Sequence, residues 1–104
     1  MQMDEKRLKG LLGICVRSGQ AVFGEDNCRK AAVKGICGLV LVDSGVSVNT
    51  RKRYETLCRG AETKLVFLPE RLLEAATGKE YMAMAIRKGS LLDQVLICIR
   101  QDNT

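Results

Sequence analysis

The chain has 104 residues, enough for one domain with a buried core and too few for two. Lys and Arg outnumber Asp and Glu by 17 to 12, giving a formal charge of +5 and a pI near 9.1, a balance that favours an anionic partner such as nucleic acid. Histidine is absent, which removes the commonest general base and the usual zinc spacings, so neither catalysis, metal nor cofactor is expected.

The apolar runs reach only about five or six residues, against the roughly 20 that a spanning helix needs. Met1 to Lys9 is polar, which does not fit a signal peptide, so a cytoplasmic protein without membrane contact is expected. Cys15, Cys28, Cys37, Cys58 and Cys98 form no Cys-x-x-Cys pair, and aliphatic neighbours surround them in stretches such as Gly-Ile-Cys15-Val and Leu-Ile-Cys98-Ile. They read as small buried hydrophobes in a reducing compartment.

In chain order, residues 4 to 17 predict a first helix. Leu8, Leu11, Leu12 and Cys15 recur at helical spacing, and Asp4 with Glu5 suits a helix start. Ser18-Gly19 ends it, and Ala21–Phe23 reads as a short strand. Gly24 then stands at a strand-to-helix corner, followed by Glu25, Asp26, Asn27, Cys28, Arg29, Lys30 and Ala31. Glycine permits the tight turn and a close approach by another molecule, while the N–H groups of the new helix face outward at its positive end. The helix is expected over 25 to 34, with Asn27, Lys30 and Lys34 on one polar stripe and Cys28, Ala31 and Ala32 on the other side. A solvated charged face would account for the lysines equally well.

Gly38–Asp43 is a continuous apolar run, as expected of a central strand covered on both faces. Asn49 is expected to cap a helix from Thr50 to about Arg59, whose first turn would hold Arg51, Lys52 and Arg53, with Tyr54, Leu57 and Cys58 as the apolar face. Cations at a helix N-terminus oppose its dipole, so a basic run there suits a bound anion. Lys64–Leu68 reads as a third strand, and Pro69 as the first position of a helix over 70 to 76 that ends at Thr77-Gly78. Tyr81–Ile86 reads as a fourth strand, and Ser90 with Asp93 as a capping-box start to the last helix. Gln101–Thr104 is expected to fray. The alternation predicts one α/β domain, a three-layer α/β/α sandwich around a small four-stranded mixed sheet.

The glycine corner lacks the second glycine and the Lys-Ser/Thr ending of a phosphate-binding loop, and it lacks the three-glycine dinucleotide pattern. Cys28 beside Arg29 is the one thiol with a helix-start setting, but it falls on the apolar side. Asp26, Asn27 and Lys30 offer an acceptor, a mixed donor/acceptor and a donor within one helical turn, a set that can meet the polar edge of guanine. Reading that edge in RNA needs an unpaired or distorted region, because the A-form major groove is too narrow for side chains.

Several pieces together carry a resemblance. They are Leu11-Leu12-Gly13 through Arg17-Ser18-Gly19, Gly24-Glu25-Asp26-Asn27-x-x-Lys30-Ala31, Leu39–Val42, Asn49-Thr50-Arg51-Lys52, and Leu73-x-x-Ala76-x-Gly78-Lys79. In order and spacing the chain resembles the ribosomal protein L-seven-Ae/L-thirty-e superfamily of kink-turn RNA binders, and its small bacterial ribosome-associated members in particular. The resemblance covers nearly the whole chain. It implies the corresponding fold and a non-catalytic, monomeric protein that binds kink-turn or similarly structured RNA, ribosomal RNA foremost. In such relatives Gly-x-Asn-Glu-x-x-Lys faces tandem sheared G·A pairs, and the loop before the last strand packs on the flipped-out region. By position these become Gly24, Glu25, Asp26, Asn27 and Lys30, and the loop Gly78, Lys79, Tyr81 and Met82, with Lys30, Lys34, Arg51 and Lys52 on phosphates. Acid and amide are exchanged at Asp26 and Asn27, and Gln20 stands where bacterial relatives often have lysine. The competing reading is a protein-interaction module of the translation machinery whose basic face is incidental.

Overall fold

A computed structural model of the protein describes residues 4–100. In chain order these form α1 (Glu5–Arg17), β1 (Ala21–Phe23), α2 (Glu25–Val33), β2 (Cys37–Asp43), α3 (Val48–Ala61), β3 (Lys64–Leu68), α4 (Leu72–Thr77), β4 (Ala83–Arg87) and α5 (Ser90–Arg100). The strands lie in the order β1-β4-β2-β3. β2 pairs parallel with β3 across the α3 crossover, while β4 pairs antiparallel with both β1 and β2, so the sheet is mixed as expected.

The apolar run of β2 makes it the centre of the molecule. Side chains alternate across a strand, so Leu39 and Leu41 join Leu8, Leu12, Leu73, Met84, Ile86 and Val95 in a core under α1, α4 and α5. Val40 and Val42 join Cys28, Ala31, Ala32, Tyr54, Cys58, Ala83 and Ala85 under α2 and α3. That gives the three layers. Gly38 sits where the β2–β4 register shifts, and a Cβ there would lie 2.5 Å from Leu92 Cδ2, so α5 packs against bare backbone at that point. The five cysteines are free and buried, as expected of small apolar core residues. No helix among the described residues is long and apolar enough to cross a membrane.

Several element boundaries differ from expectation. Ser47, not Asn49, caps α3: its hydroxyl accepts the Thr50 N–H at 3.1 Å, and the helix starts at Val48. The chain turns early because the Val46 N–H reaches back to the Asp43 carbonyl at 3.3 Å. At its other end α3 runs through Gly60 to Ala61, and Glu62 takes the left-handed conformation with φ 56°.

Pro69 is not helical either. The buried Asp43 carboxylate accepts the Arg71 N–H at 2.9 Å and holds Arg71 at φ 68°, so α4 begins only at Leu72. β4 starts at Ala83, opposite Val42 of β2, rather than at Tyr81, and the Asp43 N–H donates to the Met82 carbonyl at 2.8 Å just before it. Ser90 is the first helical residue of α5, and the Gly89 carbonyl accepts the Asp93 N–H at 3.2 Å in the capping position. The expected fraying of Gln101–Thr104 lies outside the described residues.

Candidate functional site

β1 delivers the chain to Gly24, whose φ of 92° and ψ of 150° suit glycine and little else. α2 begins at the next residue with no side-chain cap, so its first N–H groups stay open at the positive helix end. Across from this corner runs the loop between α4 and β4. Gly78 closes α4 in the left-handed conformation with φ 71°, and the Lys79 N–H is held by Thr77 Oγ1 at 3.1 Å. The loop then brings Tyr81 onto Phe23, with ring centroids 5.3 Å apart and 26° between planes. Tyr81 Cε1 lies 3.8 Å from where a Cβ on Gly24 would stand.

Corner and loop therefore share one cleft of about 470 Å³, lined by Gly24, Glu25, Ser47, Thr50, Tyr81 and Met82, with Tyr54 and Ala83 deeper. Tyr81 and Met82 are 50% and 46% exposed. They are loop residues that present aromatic and thioether surface outward, not strand core.

The residues of the polar stripe are distributed unevenly. Asp26 Oδ1 accepts from Arg29 Nη2 at 2.6 Å in an exposed pair one turn long. Such a pair holds its members weakly, so the carboxylate stays available. The Asn27 side-chain amide donates to the Phe23 carbonyl at 3.1 Å, which leaves its oxygen as the free end. Lys30 is exposed beside it, with no carboxylate in contact among the described residues. Lys34 continues the stripe as the C-cap of α2. At 1.5 Å per residue it stands about 15 Å from the corner. Gly78 and Lys79 are exposed at the start of the loop, outside the lining of the cleft.

The basic run of α3 separates. Arg51 lies over the Phe67 ring at 3.9 Å, on β3, at the opposite edge of the sheet from β1. Lys52 lines a second cavity between α2 and α3. Of the three cations, Arg53 is the one that meets the corner. Its Nε and Nη2 donate to Glu25 Oε2 and Oε1 at 3.0 and 2.9 Å, and Nη2 also reaches Thr50 Oγ1 at 3.1 Å. These hydrogen bonds, and the guanidinium charge behind them, hold the Glu25 carboxyl below its usual range. No local spacing links positions 25 and 53. Phe23 and Thr50, a strand end and a helix start by sequence, also belong to the site, as does Ser47.

The thiol alternative loses its chemistry here. Burial pushes Cys28 up to about 12, and its Sγ lies 3.5 Å from the Val22 carbonyl. A thiol in that state supplies almost no thiolate at neutral pH. Among the described residues no cluster of His, Cys, Asp and Glu is placed to hold a metal ion.

No family model and no curated protein matches the chain. Solved structures do. A protein of unknown function from Bacillus halodurans C superposes with a TM-score of 0.83 at 24% identity, covering 90% of this chain and 97% of that one. The Giardia lamblia 15.5 kD RNA-binding protein superposes with a TM-score of 0.78 at 14% identity, covering 99% of this chain and 91% of that one. At such identities the likeness is one of fold.

Proposed function

We propose that this chain is a non-catalytic, cytoplasmic RNA-binding protein that recognises kink-turn or similarly structured RNA, ribosomal RNA foremost. One observation carries the reading: the glycine corner and the loop before β4 form a single cleft, with the Tyr81 ring against Gly24. The corner supplies open helix N–H groups, the Asp26 carboxylate, the free Asn27 oxygen and Lys30. These suit base edges and phosphate. The loop supplies Tyr81 and Met82, surfaces on which a splayed base can stack. An RNA-binding protein with the same fold supports the reading from outside the chain.

A second reading has its own observation. Asp26 and Asn27 are both engaged within the chain, with Arg29 and the Phe23 carbonyl. That suits a module of the translation machinery that does not read base edges.

The test is a titration at near-physiological salt with a kink-turn RNA and with a copy whose G·A pairs are replaced by Watson–Crick pairs. Clear preference for the first is expected. Equal affinity for both would sink kink-turn recognition, and binding to neither would favour the interaction module.

A further inference from the structure

A second groove lies between α2 and α3, beside the cleft. It measures about 460 Å³, within the size range of small-ligand sites. Tyr54 and Leu57 give it an apolar lining, and Arg29, Lys52 and Arg53 bring three cations against one carboxylate, Glu25. Glu25 and Tyr54 line the cleft as well, so they stand at the common wall of the two cavities. The bidentate Glu25–Arg53 pair ties α2 to α3 at that wall. Arg53 is thus held next to the cleft while engaged with a partner that is itself 45% exposed.

Two observations single out this wall. Lys52 has no carboxylate in contact among the described residues, so its charge is unspent. Tyr54 is 3% exposed, and among the described residues its hydroxyl takes part in no hydrogen bond. A buried polar group in that state awaits a water or a ligand atom.

We propose that this groove receives the sugar–phosphate backbone of the RNA strand running past the glycine corner. The phosphate binds Lys52 and takes Arg53 from Glu25, and a backbone oxygen reaches the Tyr54 hydroxyl. The proposal rests on the RNA reading above and adds a contact that the corner and loop do not contain. Glu25 then acts as a competitor that limits affinity for RNA.

The exchange has a distinctive salt signature. A phosphate that gains Arg53 releases a counterion, but the freed Glu25 takes one up, so the pair adds nothing to the salt slope. In Glu25→Gln nothing offsets the release. The kink-turn RNA is titrated across a salt series against wild type, Glu25→Gln, Arg53→Gln, the double variant and Lys52→Gln. All three positions are exposed, and Gln removes the charge while staying polar.

Glu25→Gln is expected to bind about two- to fivefold tighter, the weight of an exposed ion pair. Its log–log salt slope should steepen by about 0.7 to 0.9, one phosphate's worth. Lys52→Gln should flatten the slope by about the same amount. In the Arg53→Gln background Glu25→Gln should no longer steepen the salt slope, leaving only the modest gain from a removed negative charge. A steepening that persists there overturns the proposal, because it would come from the field of a removed charge and not from Arg53. Wild-type binding with Glu25→Gln unchanged overturns the groove alone. Absence of wild-type binding to any RNA overturns both readings together.

Discussion

Tyr81 lies stacked on Phe23, 5.3 Å between ring centroids, although one belongs to the loop before β4 and the other ends β1. The stack fixes the loop against the corner while leaving half of the tyrosine surface open. If that open face carries a base, Tyr81→Ala should weaken binding of the kink-turn RNA by about 1–3 kcal/mol, the usual weight of a base–aromatic stack. Tyr81→Phe should bind nearly as wild type, because the ring and not the hydroxyl is used. Equal affinity of the alanine variant and wild type would remove the loop from the interface.

Gly24 tests the corner independently of RNA. Its φ of 92° lies where a side chain is strained, while the space for a Cβ is adequate, the nearest atom being 3.8 Å away. Gly24→Ala should therefore cost about 1–3 kcal/mol of stability through the backbone and not through a clash. Urea unfolding measures it: the midpoint should fall with little change in slope. An unchanged midpoint would mean that the corner relaxes at no cost.

Asp43 is the buried carboxylate of the structure as described, 6% exposed. One oxygen accepts the Gly45 N–H at 2.7 Å and the other the Arg71 N–H at 2.9 Å. Asp43→Ala strands two backbone donors and should cost about 2–4 kcal/mol on an unfolding curve. A loss under about 1 kcal/mol would show that water replaces the carboxylate at both donors.

The Glu25–Arg53 pair makes a pH prediction whose sign is fixed. The folded-state carboxyl of Glu25 is lowered, so its contribution is present above the unfolded value and disappears as pH falls through the folded one. Both partners are about half exposed. The contribution is therefore small, about 0–1 kcal/mol near neutral pH. Wild type and Glu25→Gln should differ by that amount in thermal or urea unfolding at pH 7 and converge in acid. A difference that grows on acidification would contradict the pairing.

The thiols give a probe of opening. All five are buried, and burial raises Cys28 to about 12 and Cys58 to about 11. An aromatic disulfide reagent at neutral pH should find almost no reactive thiol in the folded protein and five after denaturation. Rapid modification of one thiol in the native state would reveal local opening around it.

Much of the fold was legible because its signals are local. Leu8, Leu11, Leu12 and Cys15 mark a helix by period, and Leu39–Val42 mark a doubly covered strand by an unbroken apolar run. The start of α4 moved because a contact distant in sequence sets it. Asp43 decides where α4 begins, through the Arg71 N–H 28 residues further on. For the site, the glycine corner was visible as a turn in the chain. The partner of Glu25 was not, since choosing Arg53 over Arg51 requires knowing that α3 turns Arg53 toward α2 and Arg51 toward β3. Three adjacent cations look alike until the helix is placed.

α2 meets the sheet through small side chains: Cys28, Ala31 and Ala32 above Ala83 and Ala85. The strand under that helix is the one whose approach carries Tyr81, and the helix itself begins at the corner. With so little side chain between them, the two sides of the cleft belong to one rigid block and cannot drift apart independently. A binding partner would then meet an aperture of fixed width, paying little to order the protein and bearing most of the adjustment itself. Affinity for a pre-bent partner should accordingly exceed affinity for one that must be bent on arrival.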